Sequence, residues 1–455
     1  MQDYPRSKRI KPTNENKNST PKARASEVFI NQLDNYKDGH HSPHIQTISS
    51  LFRHFPVNGQ PKEELQSGLI LTFLFSQEIL ETYGAPGSKF LVVSDSQKES
   101  LSTTMESPHS HLRLIFPRRN FGMNVAASFH PKIFVFKFKT FLRVVIGSGN
   151  MLNCDWFRYA NVFWRRDFPL LANPLPERAP LSPFAAYLTQ FITKCMDPFG
   201  SEMDIFLGIN FRHYRMEDLS VHLVASLPGL YAPSDSFRIS LIQAAQIIKS
   251  HPPKTPFRLE TTRIYYVTSS LGSLNFKLLF DFSKILFQES SFNWDYAVKN
   301  KQALLDMFNV IYPSRNYISG SYFGESRANC LFLRRMIYDS FKFQKSVMRA
   351  YEGNLKVRGN NSVLPHYKIF IVTHNGRIDD DTIVYIGSHN FTQSAWGKFE
   401  KKEERLEVCN YEMGLIFPSR KDSVVAKESL IDSFGVSLPP NKYTQHDAPF
   451  FVIED

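Results

Sequence analysis

Cysteine is scarce. Four residues, Cys154, Cys195, Cys330 and Cys409, are spread over a chain of 455. No two form Cys-x-x-Cys, which suggests neither a zinc site nor a disulfide framework and fits a reducing, intracellular compartment. Long apolar runs are missing too. The longest, Gly68-Leu-Ile-Leu-Thr-Phe-Leu-Phe75, falls well short of the roughly 20 residues of a membrane span and reads as a buried element. No membrane partner is expected. A polar, charged start argues against a secretory signal. No carboxylate cluster suggests a metal centre, so neither metal nor cofactor is expected. There is no recognised base-reading motif, so any nucleic acid is expected to bind without regard to sequence.

Apolar residues make up 42% of the chain, and 40 are Phe, ample for sizeable cores. At 455 residues the chain exceeds the length at which one core usually keeps growing, so two domains are expected. The net charge of +11 favours an anionic partner. Residues 1–27, rich in Lys, Asn, Pro and Ser, read as a disordered basic tail. Its cluster Ser7-Lys-Arg-Ile-Lys-Pro12 suits a nuclear address or a loose nucleic-acid contact. Pro233-Ser-Asp-Ser signals a helix start, followed at helical spacing by Phe237, Leu241, Ala244, Ala245 and Ile248. A domain boundary is placed near Pro233, between domains of residues 28–233 and 234–455.

Strands are expected at Lys89–Ser94, Leu112–Phe116, Val221–Ala225 and Ile264–Val267. Trp164–Phe184, with five prolines, reads as a long surface loop, and Phe184–Cys195 has helical spacing. Residues 326–361 read as an amphipathic helix followed by a polar loop. Asn375-Gly376 is a hairpin turn signal, and Lys398–Arg405 reads as a solvated charge run.

The chemistry lies in a motif that occurs twice. Ser128-Phe-His-Pro-Lys-Ile-Phe-Val-Phe-Lys is followed by Val144-Val-Ile-Gly-Ser-Gly-Asn150, and Pro365-His-Tyr-Lys-Ile-Phe-Ile-Val by Ile383-Val-Tyr-Ile-Gly-Ser-His-Asn390. Each copy is an apolar strand opened by His-x-Lys, then a second strand ending in Gly-Ser-x-Asn. Alternation along a strand points His130 and Lys132 one way, and likewise His366 and Lys368. A neutral imidazole is a good nucleophile toward phosphorus and a good acid or base near neutral pH. Two of them across a phosphodiester can divide attack and proton transfer, while two lysines and two asparagines hold the non-bridging oxygens. One copy per expected domain suggests an internal duplication. Glu412, between apolar neighbours in Tyr411-Glu-Met-Gly-Leu-Ile-Phe417, is expected to face the site.

The doubled His-x-Lys with Gly-Ser-x-Asn resembles the phospholipase D superfamily. That motif usually adds an aspartate five residues after the lysine, where this chain has Lys137 and Thr373. The absence of both is what tyrosyl-DNA phosphodiesterases show. Asn150-Met-Leu-Asn-Cys-Asp-Trp156, Thr268-Ser-Ser-Leu-Gly-Ser-Leu274, Ile311-Tyr-Pro-Ser314, Asn390-Phe-Thr-Gln-Ser-Ala-Trp-Gly397 and Asn410-Tyr-Glu-Met-Gly-Leu-Ile-Phe417 are similar to that family's landmarks, in order. The resemblance implies an α/β fold of two similar α-β-α sandwich domains with mixed sheets, related by a pseudo-twofold axis, with the active site at their interface. It makes His130 the nucleophile and His366 the general acid and base, with Lys132, Lys368, Asn150 and Asn390 on the scissile phosphate. Glu412 matches a glutamate that supports an active-site histidine, and Asn161 stands where a glutamine is usual. Ser269 and Ser270 match a region that contacts DNA phosphates. The implied partner is single- or double-stranded DNA whose 3′ end carries a tyrosine or peptide, met by a monomer in the nucleus, and the implied product is a 3′-phosphate. The alternatives are another enzyme of the superfamily, a nuclease or phosphatidyl transferase, and a non-enzymatic nucleic-acid-binding protein. Phe129, Tyr159 and Phe391 are expected either to stack bases or to belong to the core.

Overall fold

The structure is a computed structural model that describes residues 27–33, 45–54, 62–95, 101–123, 126–217, 219–340, 344–353, 355–357, 361–400, 405–419, 427–444 and 446–452. The expected basic tail up to residue 26, residues 358–360 of the expected polar loop and residues 401–404 of the charge run lie outside these.

Two mixed sheets carry the chain. The frame of the first is β1 Glu27–Asn31, β2 Ser67–Thr72, β3 Lys89–Ser94, β4 Leu112–Phe116, β5 Ile133–Lys137, β6 Phe141–Gly147 and β7 Val162–Pro169. These lie in the order β1-β7-β6-β5-β2-β3-β4, with short strands Ile45–Gln46 and Thr104–His109 on the two edges. The second sheet is β8 His222–Ser226, β9 Thr262–Val267, β10 Phe308–Tyr312, β11 Met348–Ala350, β12 Ile369–His374, β13 Ile383–Gly387 and β14 Glu412–Phe417, ordered β8-β14-β13-β12-β9-β10-β11. Strand for strand, the second order repeats the first. Directions repeat too: β2-β3-β4 and β9-β10-β11 are parallel, and the other pairs of both frames are antiparallel. The two motif copies thus belong to a repeat of topology. β8 answers to β1, so a boundary near Pro233 leaves the first strand of the second sheet on its N-terminal side.

Period-two alternation explains why the first sheet is covered on both faces. Leu69, Leu71, Leu91, Val93, Ile133 and Val135 enter one core, while Ile70, Phe90, Val92, Phe134 and Phe136 enter another with Phe29, Leu51 and Trp156. The first of these cores continues without a break through the second sheet, into Ile264, Ile371, Ile386 and Met413. β7 and β6 lie against β13 and β14 along this seam. No helix among the described residues is long and apolar enough to cross a membrane.

Three expectations fail. Pro233-Ser-Asp-Ser starts no helix: the chain turns there, and the helix begins only at Ser240 and runs to Ser250, leaving Phe237 outside it. Trp164–Phe184 is not all loop, because β7 takes residues up to Pro169. Its prolines all fall at or after the last strand residue, leaving the ladder before them intact. Residues 326–361 hold no long helix but short ones, Arg335–Asp339 and Gln344–Val347, and then β11. Leu331 and Leu333 are buried while Phe332 and Arg334 are exposed, so this stretch starts with strand-like alternation. Elsewhere, Ser182 caps the helix Pro183–Met196 by accepting from the Ala185 amide. Asn375 and Gly376 both have positive φ, 51° and 74°, as a type I′ turn needs.

Candidate active site

The two motifs meet at the seam. His130 and Lys132 come just before β5, and His366 and Lys368 just before β12. Each motif's backbone pairs with the other half of the chain. His130 N donates to Tyr411 O at 3.0 Å, and His366 N donates to Ala160 O at 2.9 Å. Each lysine curls back onto its own histidine: Lys132 Nζ donates to His130 O at 2.6 Å and Lys368 Nζ to His366 O at 2.8 Å. Lys368 Nζ also reaches Ser148 O across the seam at 3.5 Å.

The layer behind the histidines crosses the seam as well. His130 Nδ1 lies 2.8 Å from Glu412 Oε2, on β14 of the other half. His366 Nδ1 lies 3.0 Å from Asn161 Oδ1, just before β7, and 3.0 Å from Asp155 Oδ1. A carboxylate only accepts, so both Nδ1 atoms carry a proton, and the Nε2 atoms are left for substrate. Ser148 Oγ donates to Asn161 at 2.8 Å as Ser388 Oγ donates to Glu412. Thr72, ending β2, reaches Asn150 Oδ1 at 3.5 Å, and Thr268, after β9, reaches Asn390 Oδ1 at 3.0 Å. Ser269 Oγ at 3.3 Å and Ser270 N at 3.0 Å also hold Asn390 Oδ1.

Sequence reasoning named the histidines, lysines, asparagines and Glu412, and the fold brings all of them together. Ser269 and Ser270 join them as supports of Asn390. It gave no role to Asp155, Ser148, Ser388, Thr72 and Thr268, although both serines stand in the Gly-Ser-x-Asn motif and Asp155 and Thr268 in the landmark segments. Matching positions between the two copies was the signal for all but Asp155, whose counterpart five residues after Asn390 is Ala395. Phe129 and Phe391 are core residues, packed on Tyr411 and on Tyr266 and Phe282. Tyr159 is buried as well, its ring centroid 6.0 Å from that of His366.

Burial dominates the electrostatics. It lowers His130, and Lys132 lowers it further, while Glu412 opposes. His366 is pushed down to about 3, first by burial and then by Lys368, with Asp155 opposing. Both imidazoles are therefore neutral at pH 7. Burial and then the charge of Lys368 press Lys132 well below its usual value, and burial brings Lys368 to about 7. Burial alone would raise Glu412, but His130 holds it at about 2. Both lysines thus lie where burial disfavours the ammonium form. An anion of phosphate size and charge would favour that form. Among the described residues, no group of three or more His, Cys, Asp or Glu is arranged to hold a metal ion.

Doubled His-x-Lys hairpins meeting at the seam of two mixed sheets define a phospholipase D-like α/β protein of two domains. A family model described as tyrosyl-DNA phosphodiesterase matches residues 59–451, and the chain belongs to that family. A crystal structure of the yeast tyrosyl-DNA phosphodiesterase matches with a TM-score of 0.70, covering 95% of this chain and 100% of that one at 14% identity. The tyrosyl-DNA phosphodiesterase 1 of Arabidopsis thaliana is 23% identical over 296 residues, 63% of this chain and 46% of that protein. That of Drosophila melanogaster is 21% identical over 296 residues, 61% of this chain and 47% of that protein. The chain thus spans about half the length of the curated relatives it matches.

Proposed function

We propose that this chain is a DNA-repair phosphodiesterase that removes tyrosine or a peptide remnant from a DNA 3′-phosphate through a phosphohistidine. The observation that carries the reading is the pair of neutral, oppositely supported imidazoles beside two buried, charge-depleted lysines. The Nε2 lone pair of His130 attacks phosphorus, and the bond to the tyrosyl oxygen breaks. That oxygen takes a proton from His366 Nε2, which gains it from solvent as the substrate binds. Neutral His366 then takes a proton from water, whose oxygen attacks phosphorus. The phosphorus–nitrogen bond breaks, its electron pair returns to His130, and a 3′-phosphate leaves. Lys132, Lys368, Asn150 and Asn390 hold the non-bridging oxygens as charge develops. Ser269, itself buried, and Ser270 serve the DNA phosphate by setting Asn390. The protein works as a monomer, in the nucleus, without a cofactor.

The test is single-stranded DNA ending in 3′-phosphotyrosine, with chelator present. The parent chain yields 3′-phosphate ends. His130→Ala yields none, and His366→Ala accumulates a protein–DNA adduct on a denaturing gel. Product formation by His130→Ala at the parental rate would overturn the nucleophile, and turnover of a phosphatidyl substrate without cleavage of this DNA would replace the substrate class.

A further inference from the structure

The mechanism asks His366 to deliver a proton, yet its imidazole is neutral, with its one proton held at Nδ1 against Asp155. We propose that Asp155 couples phosphate binding to the arrival of a second proton, by passing from shared contact with Asn150 and His366 to His366 alone. The proposal rests on the function given above, because it presumes a phosphoryl ligand at Asn150.

The geometry is that of a divided acceptor. Asp155 is 2% exposed and lies five residues after Asn150. Its Oδ1 accepts from Asn150 N at 3.0 Å and stands 3.0 Å from His366 Nδ1. Asn150 Nδ2 makes two further contacts, 3.4 Å to Oδ1 and 3.4 Å to Oδ2. Both are long for an amide donor and easily given up for a phosphate oxygen at ordinary distance. The carboxamide oxygen of Asn150 faces Thr72 Oγ1 at 3.5 Å, so the amide nitrogen is its mobile end toward the carboxylate.

The repeat supplies a control within one molecule. Asn390 has no carboxylate behind its amide, because Ala395 takes the place of Asp155. Its Oδ1 is gripped by Thr268, Ser269 and Ser270, so its Nδ2 is already turned away from them. One asparagine is pre-set for phosphate, and the other is on loan to the carboxylate that faces the acid histidine.

The groups facing His366 act in one direction when a phosphodiester arrives. Lys368 and Lys132 disfavour its protonated form, and Asp155 favours it. The incoming anion offsets both lysines, and Asn150 turns to it, leaving more of the Asp155 charge to the imidazole. Cys330, which senses the charges of Asp155 and Lys368, is held neutral by burial and does not oppose the change.

The experiment counts protons on binding. The ligand is an oligonucleotide ending in a 3′-methyl phosphodiester, which stays singly anionic near neutral pH and has a poor leaving group. Titration calorimetry in buffers of different ionisation enthalpy, run at about pH 6 where Lys368 is already largely protonated and His366 is not, should show uptake approaching about one proton per ligand in the parent. Asp155→Asn, which keeps the shape and the acceptor for Asn150 N, should lose more than half of it while still binding. Asn150→Ala should lose uptake for the opposite reason. In the ligand-free protein, histidine ¹⁵N shifts should place the His366 titration lower in Asp155→Asn and higher in Asn150→Ala. Parental uptake in Asp155→Asn, or shifts of the same sign in both variants, would overturn the coupling. A chain that cleaves 3′-phosphotyrosyl DNA but binds the diester without uptake loses the coupling alone. A chain that takes up the proton but leaves that DNA intact loses only the substrate reading.

Discussion

Glu412→Gln separates the charge behind His130 from its shape. Glu412 is 1% exposed, and it meets His130 Nδ1 at 2.8 Å, Ser388 Oγ and Asn410 Nδ2 at 3.2 Å. The glutamine keeps an acceptor for His130 and Ser388. Its amino group would face the Asn410 amide, which can flip to offer oxygen. The fold should therefore survive with a loss of about 1 kcal/mol, read as a small drop in melting temperature. Chemistry should suffer more. When His130 binds phosphorus its ring becomes cationic, and a charged hydrogen bond to it is worth about 1.5–3 kcal/mol. Adduct formation in a single turnover should slow by about 10- to 150-fold. The pH dependence has a definite sign. Glu412 raises the His130 pKa against burial. Without its charge the imidazole loses its proton at still lower pH, so the acidic limb of adduct formation moves down. Adduct formation at the parental rate, or an acidic limb that moves up, would refute the assignment.

Lys368→Met should abolish turnover yet stabilise the ligand-free protein near pH 7. The Lys368 pKa is about 7 in the fold against an ordinary 10.5, so between these values the unfolded chain holds the extra proton and stability rises with pH. Denaturation curves from pH 7 to 10 should rise by about 3.5 kcal/mol less in the variant than in the parent, while Lys427, also at about 7, adds the same rise to both. Thr268→Val removes a 3.0 Å bond to Asn390 Oδ1 and should lower kcat/KM about fivefold, measured on the oligonucleotide substrate. Gly414→Ala sets a Cβ against the buried Tyr385 ring and should cost roughly 1–3 kcal/mol in urea unfolding, with no effect specific to the chemistry.

The sequence exposed what chemistry requires and hid what geometry supplies. His130, His366 and their lysines could be read because reactive residues at fixed offsets stand out against apolar strands. Glu412 could be read for the same reason, as one carboxylate in a buried run. Asp155 could not: it sits in the short helix Asn153–Phe157, where an acidic residue in the first turn looks ordinary. Thr72 and Thr268 end strands, where threonine draws no attention. The repeat was legible only in the doubled motif and hidden elsewhere, because topology is kept by alternation and loop closure rather than by residue identity. β7 was misread for its neighbouring prolines, and residues 326–361 because charged residues spaced along a winding segment imitate the period of a helix.

Each histidine is held by a side chain from the other half: His130 by Glu412, and His366 by Asn161 and Asp155. In a dimer of identical chains, a site on the twofold axis would be forced to carry equal partners behind both imidazoles. A single chain escapes that constraint. Here the matched lysines and asparagines, with the serines and threonines that support the site, keep the symmetry, and Glu412 against Asn161, with Asp155 against Ala395, break it behind the histidines. The matched set has no direction of its own. In the mechanism proposed above, direction comes from two exchanges behind it, which would make one imidazole fit to attack and the other fit to carry protons.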